Sequence, residues 1–279
     1  MNKVMTAMLA TSALCMAPGC NQQDTAQDDA QVPTQETAEG DTIEGTWKAD
    51  LASVQMDQKP STYLLKDGTY NCSTCIPPLT VKADGAFHSV ADRPYYDSMS
   101  VTVVNDKTVK TVSRKGDRTI NEATTVASPD GNKLTFQFKD SSVPNAPPVT
   151  GKGTEIRVAA APAGAHVISG SWKTEKYESV SDEGLTFSFD VEGDTLRMSS
   201  PSGTSYEAKF GGPEVPIKGD TGGTTISVER LAPNSFRETS KREGKVVNVT
   251  TYTVTDGRLN AVSEDRRMGS TMKYAAVKQ

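Results

Sequence analysis

The chain has 279 residues, of which 35% are apolar and 6% aromatic, and its formal net charge is −5. A negative net charge argues against a nucleic-acid-binding protein, and the two histidines are too few for a multi-histidine metal site. No apolar stretch reaches the roughly 18 residues that a membrane-spanning helix needs. Ser, Thr and Val are abundant, which favours β-structure because branched side chains fit a pleated sheet better than a helix.

The N-terminal residues have the pattern of an export signal. A basic start at Lys3 precedes an uncharged, mostly apolar segment over residues 4–17, which suits a signal-peptide core and is too short to cross a bilayer. Gly19-Cys20 follows, and it resembles the lipobox of bacterial lipoprotein precursors, in which the cysteine is diacylated. The resemblance implies a signal peptide over 1–19 and a membrane anchor through a lipid on Cys20. An ordinary cleaved signal that leaves Cys20 free is the alternative.

The residues after Cys20 indicate a cellular location and a spacer segment. In such lipoproteins an Asp after the cysteine favours the inner membrane, so Asn21 implies an exported protein in the outer membrane, facing the periplasm or the cell surface. Residues 21–44 hold seven acidic residues and no Lys or Arg. Such a segment buries too little apolar area to offset the entropy cost of ordering. We therefore predict that residues 20–44 are a disordered acidic tether.

Both tryptophans of the chain lie in a repeated motif. Gly45-Thr46-Trp47-Lys48 recurs, 125 residues later, as Gly170-Ser171-Trp172-Lys173. Three more matches follow in the same order at offsets of 125–128: Met99-Ser100-Val101 with Ile226-Ser227-Val228, Ser113 to Gly116 with Lys241 to Gly244, and Asp130-Gly131 with Asp256-Gly257. Collinear matches at a constant offset indicate an internal duplication. We predict one domain over 45–159, a linker over 160–169 and a second domain over 170–279.

The strand pattern is clearest in the second copy. Leu185, Phe187, Phe189 and Val191 alternate with polar residues, which is typical of a half-buried strand. Nine or ten such short strands follow one another, separated by Gly, Pro, Asn and Asp turns. The pattern predicts an all-β protein of two tandem antiparallel meander β-barrels, since closure removes exposed strand edges. The first copy adds a proline-rich loop over 141–151, which we place at a barrel end.

The Gly-x-Trp motifs carry a family resemblance that covers nearly all of residues 45–279. A Gly-x-Trp on the first strand resembles the lipocalins. Gly-Thr-Trp-Lys with about ten strands is also similar to the fatty-acid-binding proteins and to functionally uncharacterised secreted bacterial proteins built from one such domain. The resemblance implies lipocalin-like barrels in which Gly45, Trp47, Gly170 and Trp172 are structural residues that plug one barrel end.

The ligand residues of those families match less well. Fatty-acid-binding proteins hold a carboxylate with an Arg-x-Tyr pair on the last strand. Here Met272-Lys273-Tyr274 lacks the arginine, and Arg157-Val158-Ala159 lacks the tyrosine. A small apolar ligand is therefore implied by fold analogy alone.

Two further cysteines, Cys72 and Cys75, form a Cys-x-x-Cys pair. In an exported protein the default expectation is a disulfide. A redox role is one alternative, although Pro77-Pro78, just after the motif, prevents the helix start that lowers a thiol pKa. Metal binding is another alternative, for which His88 is the only histidine nearby.

No catalytic motif accompanies these features. His88 lies near a turn without a recognisable nucleophile beside it. Cations at two hairpin tips, around Arg114 and Arg242, are compatible with anionic lipid but are more often only solvated. We expect a non-enzymatic envelope lipoprotein with no cofactor, no metal and no nucleic-acid partner. It would bind a small apolar or amphipathic ligand in a barrel; the alternative is a structural or protein-interaction module with filled barrels.

Overall fold

The structure, a computed structural model, describes residues 41–279. The predicted signal peptide, Cys20 and the tether up to residue 40 lie outside the described residues. The strands of the first half of the chain are β1 (Gly45–Ala49), β2 (Gln55–Asp57), β3 (Ser61–Lys66), β4 (Thr69–Cys72), β5 (Leu79–Lys82), β6 (Asp84–Ser89), β7 (Ser98–Asn105), β8 (Thr108–Lys115), β9 (Arg118–Ala127), β10 (Lys133–Asp140) and β11 (Val149–Ala159).

The second half continues the same pattern. Its strands are β12 (Gly170–Val180), β13 (Thr186–Glu192), β14 (Thr195–Ser199), β15 (Ser205–Lys209), β16 (Val215–Pro216), β17 (Thr224–Ala232), β18 (Ser235–Arg242), β19 (Lys245–Thr255), β20 (Arg258–Asp265) and β21 (Ser270–Lys278). A 3-10 helix at Leu51–Ser53 and a single-turn helix α1 at Asp182–Leu185 are the helices of residues 41–279.

These strands form two nearly closed antiparallel barrels, which confirms the predicted all-β fold. The first barrel has the strand order β5-β4-β3-β12-β11-β10-β9-β8-β7-β6. The second has the order β15-β14-β13-β1-β21-β20-β19-β18-β17-β16, with β2 added beside β21. Position by position the two orders correspond, so the internal repeat in the sequence is also a repeat of topology.

The two tryptophan strands are exchanged between the barrels. Strand β1, from the first repeat, lies between β13 and β21 of the second barrel. Strand β12, from the second repeat, lies between β3 and β11 of the first barrel. The predicted division at 160–169 is therefore wrong for these two strands: the first barrel comprises 61–180, and the second comprises 45–57 with 186–279.

Equivalent contacts at the two tryptophan strands explain why the sequence does not reveal the exchange. The Thr46 hydroxyl hydrogen-bonds to that of Ser188 at 2.8 Å, and the Ser171 hydroxyl hydrogen-bonds to that of Thr62 at 2.9 Å. Either tryptophan strand would meet the same kind of partner in either barrel. The strand β2, which continues from β1 and pairs with β21, ties the start of the chain to the second barrel.

Both tryptophan side chains are fully inside their barrels. Trp47 is 1% exposed and Trp172 is 0% exposed. The Trp47 indole donates to the Ile43 carbonyl at 3.0 Å, and the Trp172 indole donates to the Ile168 carbonyl at 2.9 Å. Ile43 is itself buried, so the end of the predicted tether, residues 41–44, belongs to the second barrel. The disorder prediction is wrong there because an apolar side chain four residues before the tryptophan completes the core.

A cation covers each tryptophan, and a glycine makes room for it. Arg157 lies over the Trp172 ring at 4.0 Å, and Lys278 lies over the Trp47 ring at 5.5 Å. Gly170 and Gly45 have φ of +122° and +127°. A Cβ at Gly170 would lie 2.5 Å from the Arg157 guanidinium, and a Cβ at Gly45 would lie 2.5 Å from Lys278 Cε. The motif glycine therefore permits both the backbone angle and the close approach of the cation.

Replacing these glycines by alanine should have unequal effects. Each substitution should cost about 1–3 kcal/mol of backbone strain. We expect Gly170→Ala to lower the free energy of unfolding more than Gly45→Ala, because a steric clash is added to the strain at residue 170. At Gly170 the new Cβ would also lie 2.6 Å from the Ala159 carbonyl, which cannot retreat, whereas the Lys278 side chain can swing away from residue 45. Urea unfolding of both variants measures the difference. A larger loss of unfolding free energy for Gly45→Ala than for Gly170→Ala would contradict this explanation of the motif.

Candidate functional site

Each barrel contains a partly open cavity. The first barrel has a cavity of about 280 Å³, and the second has one of about 240 Å³. Tyr95, Asp140 and Ser142 line both cavities. The mouths of the two cavities therefore meet where the barrels touch each other. Neither Trp47 nor Trp172 lines a cavity among the described residues, so the tryptophans lie away from the mouths.

Tyr95, from the loop between β6 and β7, holds the junction between the barrels. Its hydroxyl accepts a hydrogen bond of 2.5 Å from Arg242 of the second barrel, whose guanidinium also lies over the Tyr95 ring. The same ring packs against buried Val247. Burial raises the pKa of Tyr95 to about 12, so its hydroxyl keeps its proton at neutral pH. Arg242, one of the hairpin-tip cations, thus has a partner within the protein.

The proline-rich loop also crosses this junction. The loop joins β10 to β11 of the first barrel, but Val143 and Pro147 line the cavity of the second barrel. Arg118 fixes the start of the loop by donating to the Ser141 carbonyl at 2.6 Å and to the Ser142 carbonyl at 3.0 Å. The first barrel therefore supplies part of the wall around the second cavity.

The first cavity combines aromatic walls with charges of both signs. Its lining includes Tyr63, Phe136, Tyr177 and Met99, and Glu155 lines it as well. Burial, and secondarily the charge of Glu155, raises the pKa of both tyrosines well above the usual value. Two guanidinium groups and two further carboxylates complete its charged lining: Arg93, Arg267, Asp140 and Asp265.

The second cavity has a different chemical feature: the carboxyl group of Glu238 on β18 lines it. Glu238 is only 9% exposed. The Tyr206 hydroxyl donates to its Oε1, and the Tyr252 hydroxyl donates to its Oε2 at 3.4 Å. Burial raises the pKa of Glu238 to about 7, although the two hydroxyl groups act in the opposite direction. A carboxyl group near half-ionisation at neutral pH therefore faces an aromatic chamber.

A small hydroxyl and amide network lies beside this carboxyl group. The Asn248 side-chain amide donates to Thr250 Oγ1 at 2.7 Å and to Ser263 Oγ at 3.0 Å, and all three residues are buried. Asn248 and Thr250 line the second cavity. The chamber thus offers a few fixed polar groups on an otherwise apolar wall, which is the usual composition of a small-molecule site.

The predicted cysteine pair and His88 lie in different places. The Cys72 and Cys75 sulfurs are 2.10 Å apart, at disulfide distance, and line the first cavity. His88 Nε2 hydrogen-bonds to Asp84 at 2.8 Å on the surface and is not part of either cavity lining. Among residues 41–279, no group of three or more His, Cys, Asp or Glu side chains is placed to hold a metal ion. No helix of this range is long and apolar enough to span a bilayer.

Of the two residues compared with the Arg-x-Tyr pair of fatty-acid-binding proteins, one lines a cavity and the other does not. Tyr274 on β21 lines the second cavity, and burial raises its pKa. Arg157 on β11 does not line the first cavity; it covers Trp172 and donates to the Val167 and Ser169 carbonyls at 2.7 and 2.6 Å. Its guanidinium is fully used in this structural contact.

Sequence reasoning missed Glu238 altogether. The sequence nevertheless places Glu238 on the inward face of β18, because Phe236, Glu238 and Ser240 occupy alternate positions of that strand. A glutamate on the apolar face of a strand is unusual, because an isolated charge is costly to bury.

No protein-family model matches the chain, and no curated protein matches it.

Proposed function

We propose that this protein is a non-enzymatic binding protein that holds a small apolar or amphipathic molecule in its barrel cavities. We further propose that a lipid on Cys20 anchors it in the outer membrane of the cell envelope. The observation that supports ligand binding is the pair of cavities, one in each barrel, with mostly apolar walls and a few fixed polar groups. This favours ligand binding over a module with filled barrels, since side-chain-filled barrels would leave no such volumes.

Native mass spectrometry of the gently purified full-length protein tests this function. We expect a population heavier than the polypeptide by the mass of one or two small molecules, which lipid extraction then releases. A protein that never carries or takes up an added apolar molecule would contradict the proposal.

Cavity-filling variants supply the matched controls. Thr125→Phe narrows the first cavity, and Ser240→Phe narrows the second, since each side chain lines its cavity. We expect each variant to lose the extra mass that belongs to its own barrel, while circular dichroism shows an unchanged β-sheet spectrum. If both variants keep all of the bound mass, the ligand lies outside the barrels. Intact mass of the mature N-terminus tests the anchor, because an unmodified Cys20 would exclude it.

A further inference from the structure

The second cavity contains a buried carboxyl group, Glu238, that has no cation beside it among residues 41–279. The groups that hydrogen-bond to Glu238 are the hydroxyls of Tyr206 on β15 and Tyr252 on β19, and the Tyr252 hydroxyl also hydrogen-bonds to that of Tyr274 on β21. None of these groups carries a positive charge. An ionised carboxylate in such surroundings lacks the pairing that normally accompanies a buried charge.

The wider lining of this cavity is also acidic. Its other carboxylates are half-buried and come from three separate segments: Asp140, Glu183 and Asp220. No Lys, Arg or His lines the second cavity among residues 41–279. The ionisable carboxyl groups that line the chamber are thus not matched by a cation in the lining itself; the nearest guanidinium groups, Arg118 and Arg242, lie behind lining residues to which they hydrogen-bond. Such a lining disfavours a carboxylate or phosphate ligand.

The aromatic walls of the chamber suit a positive charge. Phe187, Phe189 and Tyr252 line it, with the Tyr252 ring 5.2 Å from Phe189 and 6.3 Å from Phe187. The faces of such rings attract an ammonium group, most strongly where water is excluded. Met198 and Ile226 extend the apolar wall for the remainder of a ligand.

The first cavity provides the contrast. Its lining includes Arg93 and Arg267 along with carboxylates, so it has no single-sign charge. Charge selection is thus a property of the second barrel alone.

From this arrangement we infer that the second barrel selects a cationic amphiphile. The ligand would be a protonated amine or quaternary ammonium group on an apolar body, with the charged group at Glu238 and the body along the aromatic wall. This inference rests on the proposed ligand-binding function and specifies the charge of the ligand in one of the two cavities.

The test uses the full-length protein with its methionine methyl groups labelled with carbon-13. Met99 lines the first cavity and Met198 lines the second, so their NMR signals report on occupancy of each barrel separately. Octyltrimethylammonium, octanol and octanoate serve as probes, since they share one chain and differ in charge.

At about pH 8 we expect the Met198 signal to respond to octyltrimethylammonium at a concentration at least about tenfold lower than to octanol, and least to octanoate. Glu238→Gln should abolish this preference. Glu229→Gln, which removes an exposed carboxylate outside the cavity, should keep it. At about pH 6 the cation should bind roughly tenfold more weakly, because Glu238 must lose its proton to pair with it.

The outcomes separate the two proposals. If neither methionine signal responds to any probe, the ligand-binding function itself fails. If Met198 responds equally to the neutral and cationic probes, or if Glu238→Gln keeps the preference, ligand binding survives and the inference about charge is wrong. Tighter binding at about pH 6 of a neutral probe that accepts hydrogen bonds would show that protonated Glu238 acts as a donor, and this also overturns the inference.

Discussion

Replacing Trp172 by alanine should loosen the barrel built mainly from the other repeat. Trp172 lies in the second repeat, yet its strand pairs with β3 and β11 of the first barrel. Removing a fully buried tryptophan costs about 3–5 kcal/mol through lost burial and the cavity left behind. We expect hydrogen exchange to accelerate in β3 and β11, as measured by mass spectrometry of peptides. Trp47→Ala should instead accelerate exchange in β13 and β21 of the second barrel.

The exposed neighbour Lys173 supplies the control for this experiment. Lys173→Ala lies on the same strand but faces solvent, so it should leave exchange nearly unchanged. If Trp47→Ala loosened β3 and β11 instead of β13 and β21, each tryptophan would belong to its own repeat, and the exchanged topology would be wrong.

Replacing Glu238 by glutamine should change the pH dependence of stability. The pKa of Glu238 is about 7 in the folded protein, above its ordinary value of 4.5, so the folded state binds this proton more tightly than the unfolded state does. The contribution of Glu238 to the free energy of unfolding is therefore highest below about pH 4.5, and it is lost as the pH rises through 7. The loss amounts to about 3 kcal/mol, since each unit of pKa difference corresponds to about 1.4 kcal/mol.

The measurement is urea unfolding of ligand-free protein from about pH 4.5 to pH 8. Glu238→Gln removes the titrating group. The free energy of unfolding of the variant, relative to that of the natural protein, should therefore rise by about 3 kcal/mol between about pH 4.5 and pH 8. Glu229→Gln, at an exposed site paired with Arg237, should show no comparable gain. A pH-independent difference between Glu238→Gln and the natural protein would show that this carboxyl group ionises normally.

The strands and the duplication were accessible from sequence because they depend on local patterns. Alternating apolar residues identify strands such as β13, and the repeated glycine–tryptophan motif identifies equivalent positions in the two barrels. Ile43 and Ile168, each four residues before a tryptophan, are a further part of the repeat. Their carbonyls accept the indole hydrogen bonds.

The exchange of strands and the cavity centre were not accessible in the same way. Local preference cannot choose between two pairings with the same chemistry, and Thr46 and Ser171 both meet a hydroxyl partner. The shared junction depends on long-range contacts such as Tyr95 with Arg242, which are 147 positions apart. Glu238 was identifiable as an inward-facing acid, but its tyrosine partners come from two other strands that only the fold brings together.

The exchanged barrels are the basis of every site described above, and disulfide trapping tests them most directly. Cross-strand pairs in antiparallel sheets have Cα separations of about 4.5–5.5 Å, within the range that a disulfide spans. The pairs to introduce are Thr46→Cys with Ser188→Cys, and Thr62→Cys with Ser171→Cys, which are direct register partners. Serine should replace Cys15, Cys20, Cys72 and Cys75, the four cysteines of the chain, so that no other thiol competes.

We predict that both designed pairs form intramolecular disulfides on mild oxidation, as seen by peptide mapping with mass spectrometry. The matched control combines Thr46→Cys with Thr62→Cys, which would be partners only if each tryptophan strand stayed in its own repeat. That control should remain reduced in the folded protein. A disulfide in the control pair, with none in the two designed pairs, would contradict the exchanged topology.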